Sequence, residues 1–312
     1  MKILFVAPFE KPESTAWLIL KAMKNIGLDV EPFSYREIAK NESLESMNFK
    51  LREKIIPLEW KDLVFVIKGE GIWPEMLTAI HARKILWWFD FDSFVLPESL
   101  IKWSSNFHYV FLTCYPWVEQ LRELGINAFF MPQATDPAVY HPVKSELKYE
   151  CDVAFIGSWK PGREEILTAL DTKFKLRLFG SNYSYKMIKP VYLEEFNKVC
   201  NSAKVIVNIT SSENWPIHEK TFSQRIYMVM AAGGYLVTDY IPGLPFKWLG
   251  VYDTIPELKG IIEWTLHNEN LRKNVCKNAR MEILKNHTYY HRIKEILECL
   301  RLSPSALKSI RA

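Results

Sequence analysis

Asp152-Val153-Ala154-Phe155-Ile156-Gly157-Ser158-Trp159-Lys160-Pro161-Gly162-Arg163, running on into Glu164 to Leu170, decides how the chain is read. A short apolar run forms a buried strand, glycine, serine and proline punctuate a turn, and a helical pattern starts at once. Strands that pass directly into helices build parallel sheets covered by helices on both faces, and ligands bind such sheets beyond the carboxyl ends of the strands. Glycine lets backbone approach a ligand, the helix start offers N–H groups to an anion, and Lys160 and Arg163 add cations suited to a diphosphate. The spacing is neither G-x-G-x-x-G nor a Walker loop, which disfavours a dehydrogenase or a P-loop ATPase. The same residues also serve as ordinary strand-to-helix punctuation, so phosphate contact and a plain turn both stay open.

The alternation extends outward from this stretch in both directions. Before it, strands are expected at 2–7, 28–35, 62–69, 84–91, 109–114 and 127–131; from it onward, at 152–157, 175–180, 204–210 and 234–240. A helix from Ser14 to Ile26 groups Trp17, Leu20, Met23 and Ile26 on one face, with Ser14 as cap and Gly27 past its end. Another, from Pro116 to Leu124, carries Pro in its first turn and Gly125 as terminator. Between 132 and 150 the pattern breaks into Pro132, Pro137, Pro142 and the charged stretch from Lys144 to Glu150, the best boundary in the chain. The expected architecture is α/β, with two similar doubly wound halves, and three helical segments close the sequence near 256–267, 269–285 and 288–300.

Composition agrees with this reading. The 312 residues, 48% apolar, 24% charged and 14% aromatic, exclude disordered, collagen-like and coiled-coil classes, and the length suits two domains of about 150 residues each. Every strongly apolar run is cut well short of the roughly 18 residues of a membrane span. Met1 to Pro8 reads as a first buried strand and not as a cleavable signal, so a cytoplasmic protein is expected. The five cysteines are scattered without a C-x-x-C pair and read as buried thiols. Four sequons begin at Asn41, Asn182, Asn208 and Asn286, but Asn208 lies inside an apolar run where no glycan fits, and all four are taken as chance matches. Net charge is +4, yet residues 271–312 hold ten Lys/Arg against three Asp/Glu. This basic tail is either a solvated helix face or a peripheral contact with anionic membrane; nucleic acid is not expected.

Two further loops converge on the crevice beyond the second set of strands: Gly180-Ser181-Asn182, and Thr210-Ser211-Ser212-Glu213-Asn214. The helix that follows, Phe222 to Gly233-Gly234, carries Ser223 and Arg225 in its first turns. An Arg at the positive end of a helix is disfavoured by the dipole and answers to an anion, which is either a ligand or Glu219. In the first half, alternation puts Asp90 and Asp92 of Trp87-Trp88-Phe89-Asp90-Phe91-Asp92 on one face. A D-x-D pair can hold a metal, a single carboxylate there suits acceptor binding or general-base work, and solvated strand-end aspartates or a helix cap before Pro97 explain the pair equally well. Lys68-Gly69-Glu70-Gly71, His81, Asp136 and His141 are weaker candidates, and the lone histidines, His108, His218 and His267 included, read first as structural.

Ser223-x-Arg225 through Met230-Ala231-Ala232-Gly233-Gly234, then Leu236-Val237-Thr238-Asp239, resembles the donor-site segment of GT-B glycosyltransferases of the CgeB-like group, which share a "glycosyl transferases group 1" C-terminal domain. Three other segments are similar to the same family in the order it requires. Asp152 to Ser158 with Arg163 matches the opening of that domain, Pro132-Gln133-Ala134-Thr135-Asp136-x3-Tyr140-x-Pro142 the interdomain passage, and His287-Thr288-Tyr289-x2-Arg292-x3-Ile296-Leu297 the closing helix.

The resemblance implies two Rossmann-like domains facing across a cleft: an acceptor domain at 1–143, a nucleotide-sugar domain at 144–286, and a helix at 287–312 crossing back to the first. It implies a metal-independent glycosyltransferase with a nucleotide-diphosphate sugar of UDP or GDP type as donor and an unread glycan, lipid or protein as acceptor. Ser158, Arg163, Ser223 and Arg225 would lie near the diphosphate, with Gly157, Lys160, Gly180, Asn182, Met228 and Gly233 in the same donor site. Arg163, Lys160 and Arg225 would stabilise the departing diphosphate. Retention is the implied stereochemistry; inversion would need a base, with Asp90 the first choice. One departure stands out. Many relatives carry Glu where this chain has Met228, and a thioether cannot accept the ribose hydrogen bonds that a carboxylate accepts. The same residue also reads as helix packing. The alternatives are a non-catalytic GT-B-like nucleotide or glycan-binding or scaffold protein, and a nucleotide-sugar epimerase or hydrolase.

Overall fold

The computed structural model of the protein describes residues 1–78, 80–90, 95–158, 162–181, 187–210, 222–241 and 243–301. The chain forms two compact units, one from Met1–Gln133 with the returning segment that starts at Tyr289, the other from Ala134–Thr288.

The first unit alternates β1 (Lys2–Ala7), α1 (Thr15–Asn25), β2 (Asp29–Ser34), α2 (Tyr35–Asn41), α3 (Leu44–Ile55), β3 (Leu63–Ile67), α4 (Pro74–Thr78), β4 (Arg83–Trp88), α5 (Glu98–Ser104), β5 (Tyr109–Leu112), α6 (Tyr115–Glu123) and β6 (Ala128–Phe130). The strands form one parallel sheet in the order β2-β1-β3-β4-β5-β6. The whole of β3, Leu-Val-Phe-Val-Ile, is buried, as a strand covered on both faces must be, and each such side chain contributes roughly 1.5–3 kcal/mol. Helix α1 departs from expectation at two residues. The Ser14 hydroxyl donates to the Pro8 carbonyl and does not cap the helix, and Trp17 lies at the surface, edge-on to Phe9 with its indole N–H on the Phe9 carbonyl.

The second unit runs β7 (Cys151–Ile156), α7 (Arg163–Asp171), β8 (Leu176–Phe179), β9 (Met187–Ile188), α8 (Leu193–Ser202), β10 (Ala203–Asn208), α9 (Gln224–Ala232), β11 (Leu236–Asp239), β12 (Gly250–Tyr252), α10 (Ile255–His267) and α11 (Glu269–Asn286). Its parallel sheet has the order β12-β11-β10-β7-β8-β9, in which the chain reverses direction across the sheet between β7 and β10. That is the dinucleotide-type winding, and its switch point opens a crevice at the carboxyl ends of β7 and β10. Strands β9 and β12 were not expected, because two or three residues are too short to show a period.

The boundary expected at 143/144 falls between Gln133 and Ala134. Residues 134–143 belong to the second unit because Tyr140 is buried edge-on to Phe196, Asn197 donates to the Val139 carbonyl at 2.7 Å, and Pro142 packs on Gly233. The second unit ends at Thr288, which bridges to Thr135. From there α12 (Tyr289–Arg301) packs on α1, with Tyr289, Ile293 and Ile296 buried and Arg292 Nε donating to the Pro132 carbonyl at 3.0 Å. Several tail cations are engaged within their own unit: Arg280 donates to the Ala231 carbonyl at the end of α9, Arg272 to the Thr265 carbonyl, and Lys273 pairs with Glu269. Among the described residues no helix is long and apolar enough to cross a membrane. Cys114, Cys151 and Cys200 are buried, and burial pushes the Cys151 thiol up to about 12.

Candidate functional site

The carboxyl ends of β7, β8 and β10 meet at two glycines. A side chain on Gly180 would run into the Gly157 carbonyl, and one on Gly157 would place its Cβ 2.5 Å from Arg225 Nη2. Gly180 therefore requires the bare backbone, a side chain on Gly157 would displace the Arg225 guanidinium, and the loops after β7 and β8 close together, with the Ser158 and Ser181 hydroxyls 2.9 Å apart.

Beneath these loops one aromatic ring carries two cations. The guanidinium carbons of Arg163 and Arg225 each lie 5.4 Å from the centroid of the Phe155 ring, in β7. Cation–π contact of this kind is worth about 0.5–2 kcal/mol per pair and holds a guanidinium without neutralising it. Arg163, at the first turn of α7, is buried; its Nε donates to the Ile209 carbonyl at 3.1 Å and its Nη1 to the Ser158 carbonyl at 2.6 Å. It straps the end of β7 to the end of β10 across the switch point. Arg225 Nη1 donates to Asn208 Oδ1 at 2.9 Å. Asn208 is itself fully buried and donates through Nδ2 to Thr238 Oγ1 at 2.9 Å, and Asp239 accepts from the Thr210 backbone and hydroxyl. Tyr252 completes the layer, its hydroxyl held protonated by burial and then by the Asp239 charge.

Helix α9 starts at this place. Ser223 caps it, its Oγ accepting from the Arg225 N–H at 3.3 Å. Ile226, Tyr227, Val229 and Met230 are buried, while Gln224, Arg225 and Met228 are half-buried and share the opposite helix face. Met228 is thus not one of the core-packing residues of α9. A helix N-terminus, a flanking guanidinium and a close backbone turn are the elements that receive an anion.

The expected donor-site residues Gly157, Ser158, Arg163, Gly180, Ser223 and Arg225 come together here, and Met228 lies one turn along α9. Gly233 does not: it ends α9 in a left-handed conformation against Pro142, about 15 Å of helix from Ser223. Lys160, Asn182, Glu219 and 211–214 lie outside the described residues. Sequence reading missed Phe155 as the platform and the Asn208–Thr238–Asp239–Thr210 chain. Their one signal was an asparagine inside the apolar run Val205-Ile206-Val207-Asn208-Ile209.

In the first unit, Asp90 follows β4 and pairs with Lys68, which follows β3; Asp92 lies outside the described residues. Lys68 adopts a left-handed φ of 62° and leads into Gly69, Glu70 and Gly71. This loop is clamped from several sides. Buried Asn48 donates to the Gly71 carbonyl and accepts from the Trp73 N–H, both at 2.9 Å. Glu70 accepts from the Tyr35 hydroxyl and from Arg36. Burial raises the Glu70 carboxyl, but the Tyr35 hydroxyl, its own backbone N–H and Arg36 together outweigh it and hold it below the usual carboxylate range. Among the described residues no group of three or more His, Cys, Asp or Glu is placed to hold a metal ion.

Residues 163–298 match the family model described as glycosyl transferase-like. Among solved structures, a glycosyltransferase from Rickettsia africae superposes with a TM-score of 0.65 at 13% identity, covering 97% of this chain and 99% of that one. HepE of Anabaena in complex with UDP gives a TM-score of 0.64 at 12% identity, covering 96% and 99%. The lipopolysaccharide outer core galactosyltransferase WaaB gives 0.55 at 11% identity, again covering 96% and 99%. Among curated protein sequences, none matches this chain significantly. The fold is that of the GT-B glycosyltransferases, and most of the second unit is glycosyltransferase-like in sequence.

Proposed function

We propose that this GT-B, glycosyltransferase-type chain moves a sugar from a nucleoside-diphosphate donor to a hydroxyl acceptor, with the donor diphosphate seated at the carboxyl ends of β7 and β10. The observation that carries the reading is the Arg163–Phe155–Arg225 stack beside Gly157 and the start of α9. As the glycosidic bond to the donor breaks, charge develops on the leaving diphosphate. A site whose cations and N–H groups are already fixed stabilises that charge without reorganising. Arg225 is the direct contact in this scheme and Ser223 orders the helix start. Arg163 positions the Ser158 loop and adds a buried positive charge. The UDP bound to HepE makes a uridine nucleotide the first donor class to test. We take retention as the stereochemical course, with no metal. On this reading Asp90 positions groups through Lys68 and is not a base.

Met228 favours one second reading. Its thioether lies on the same face of α9 as Arg225, where the family resemblance implies a ribose-binding Glu, so the chain binds nucleotide weakly or holds the ribose by other groups.

Calorimetric titration and thermal-shift screening with UDP, GDP, ADP and dTDP test the proposal without an acceptor, because a ligand of the folded state raises apparent stability. A response to one nucleotide that Arg225→Ala removes supports it. Silence across the panel at millimolar concentration sinks it and leaves a GT-B scaffold.

A further inference from the structure

A pocket of about 480 Å³ opens at the carboxyl ends of β3 and β4, within the first unit. Its mouth carries Lys68, Glu70 and Asp90, and its walls are largely apolar, formed by Ile72, Leu100 and the indoles of Trp88 and Trp103 among others. The two indoles have no polar handle left to offer. Trp88 Nε1 donates to the Asp90 carbonyl at 2.7 Å and Trp103 Nε1 to the Lys68 carbonyl at 2.8 Å. The first bond folds the segment after β4 on itself and the second ties α5 to the loop after β3, while the Lys68–Asp90 pair joins the two loops. The charged groups at the mouth are likewise matched: Lys68 with Asp90, and Glu70 with Tyr35 and Arg36. Left-handed Lys68 is a conformation that a lysine adopts only under constraint, so the fold maintains this arrangement against local preference.

Such a pocket discriminates by what it lacks. A free sugar buried among ring faces would leave several hydroxyls without partners, whereas an apolar group loses nothing there and removes the indole surface from water. A hydroxyl carried by the same molecule would reach the Asp90 carboxylate at the mouth, which stays partly exposed.

We propose that this pocket seats a compact apolar group of the acceptor, so that the acceptor class is an amphipathic hydroxylated molecule, a glycoside or alcohol with an apolar body, and not a free sugar. The inference rests on the transferase reading above and names the substrate class of the same reaction.

The test is calorimetry on the full chain with phenyl β-glucoside, octyl β-glucoside and glucose, each titrated with and without saturating UDP. UDP alone is titrated as control. At least one glycoside is expected to bind tenfold or more tightly than glucose, and the better of the two identifies a ring or a chain as the occupant. Ser99 lines the pocket from an exposed position, so Ser99→Trp obstructs it without entering the core. That variant is expected to remove the glycoside preference and to keep both the parent melting temperature and parent UDP affinity. UDP binding with no glycoside preference, or a preference untouched by Ser99→Trp, overturns the pocket assignment alone. Glycoside binding with no response to any nucleotide overturns the donor reading instead.

Discussion

At the carboxyl ends of β7 and β10 the second unit sets two guanidiniums against one phenylalanine ring; at the carboxyl ends of β3 and β4 the first unit sets two indoles around a lysine–aspartate pair. Both are loops at the ends of six-stranded parallel sheets, yet their aromatic residues do different work: one ring lies beneath two cations, while two indoles line an apolar pocket beside an ion pair. The Phe155 ring supports the Arg225 cation, and the Asn208 side-chain carbonyl accepts from it and helps fix its direction. Lys68 is matched by a carboxylate, and what remains around it is apolar. The difference teaches how one architecture separates two tasks. A pair of fixed guanidiniums suits a ligand that gains negative charge, and a self-satisfied polar rim over apolar walls suits a ligand recognised by shape.

The sharpest break of this comparison is Arg225→Ala against Lys68→Met. Loss of one fixed donor to developing charge is worth about 3 kcal/mol, so UDP affinity or transfer is expected to fall a hundredfold in the first variant. UDP titration of the second should be indistinguishable from the parent. Transfer by Asp90→Asn is expected to fall by about tenfold or less with UDP binding intact, as suits a group outside the chemistry. A loss nearer a thousandfold, with an inverted product by NMR, would instead make Asp90 a general base.

Two substitutions sharpen the donor side. Gly157→Ala pushes a Cβ to 2.5 Å from Arg225 Nη2, and displacement of that guanidinium should weaken UDP about tenfold with little change in melting temperature. Met228→Glu restores an acceptor on the same helix face. A hydrogen bond to a charged group contributes about 1.5–3 kcal/mol, so UDP binding is expected to tighten about tenfold, and unchanged affinity would mean the ribose lies elsewhere.

The smallest effect lies away from both sites. His108 Nδ1 accepts from the Lys84 N–H at 3.0 Å, and burial, then the Lys84 charge, lowers its pKa below the usual imidazole range. A histidine kept neutral in the folded state gives stability that is full above the ordinary value near 6.5 and is lost as pH falls, because the unfolded chain then binds more protons. Melting of the first unit should therefore drop by a few degrees between pH 7 and 5, and His108→Gln should flatten that slope.

The fold was legible because buried parallel strands are unbroken apolar runs, and Leu63 to Ile67 or Cys151 to Ile156 can be little else. Cap details were not: Ser14 has the right type and place, yet its hydroxyl found the Pro8 carbonyl, a partner fixed by tertiary packing. Half of the candidate site was legible in the same way. Gly157, Arg163 and Arg225 announce themselves by type and position, whereas Phe155 looks like any core residue until two guanidiniums are seen over it. Trp103 gave no local signal, since its indole N–H partner, the Lys68 carbonyl, lies 35 residues away along the chain.

The bridge between Thr135 and Thr288 places the two ends of the second unit side by side, as neighbouring strands some 5 Å apart. That unit is in effect an insertion within the first, and it could be excised as a continuous module, whereas the first could not without a splice from Gln133 to Tyr289. Order of synthesis follows from the same geometry. The unit begun first is finished last, because the surface of α1 stays uncovered until α12 has been made, while the inserted unit can close its core as soon as Thr288 is in place.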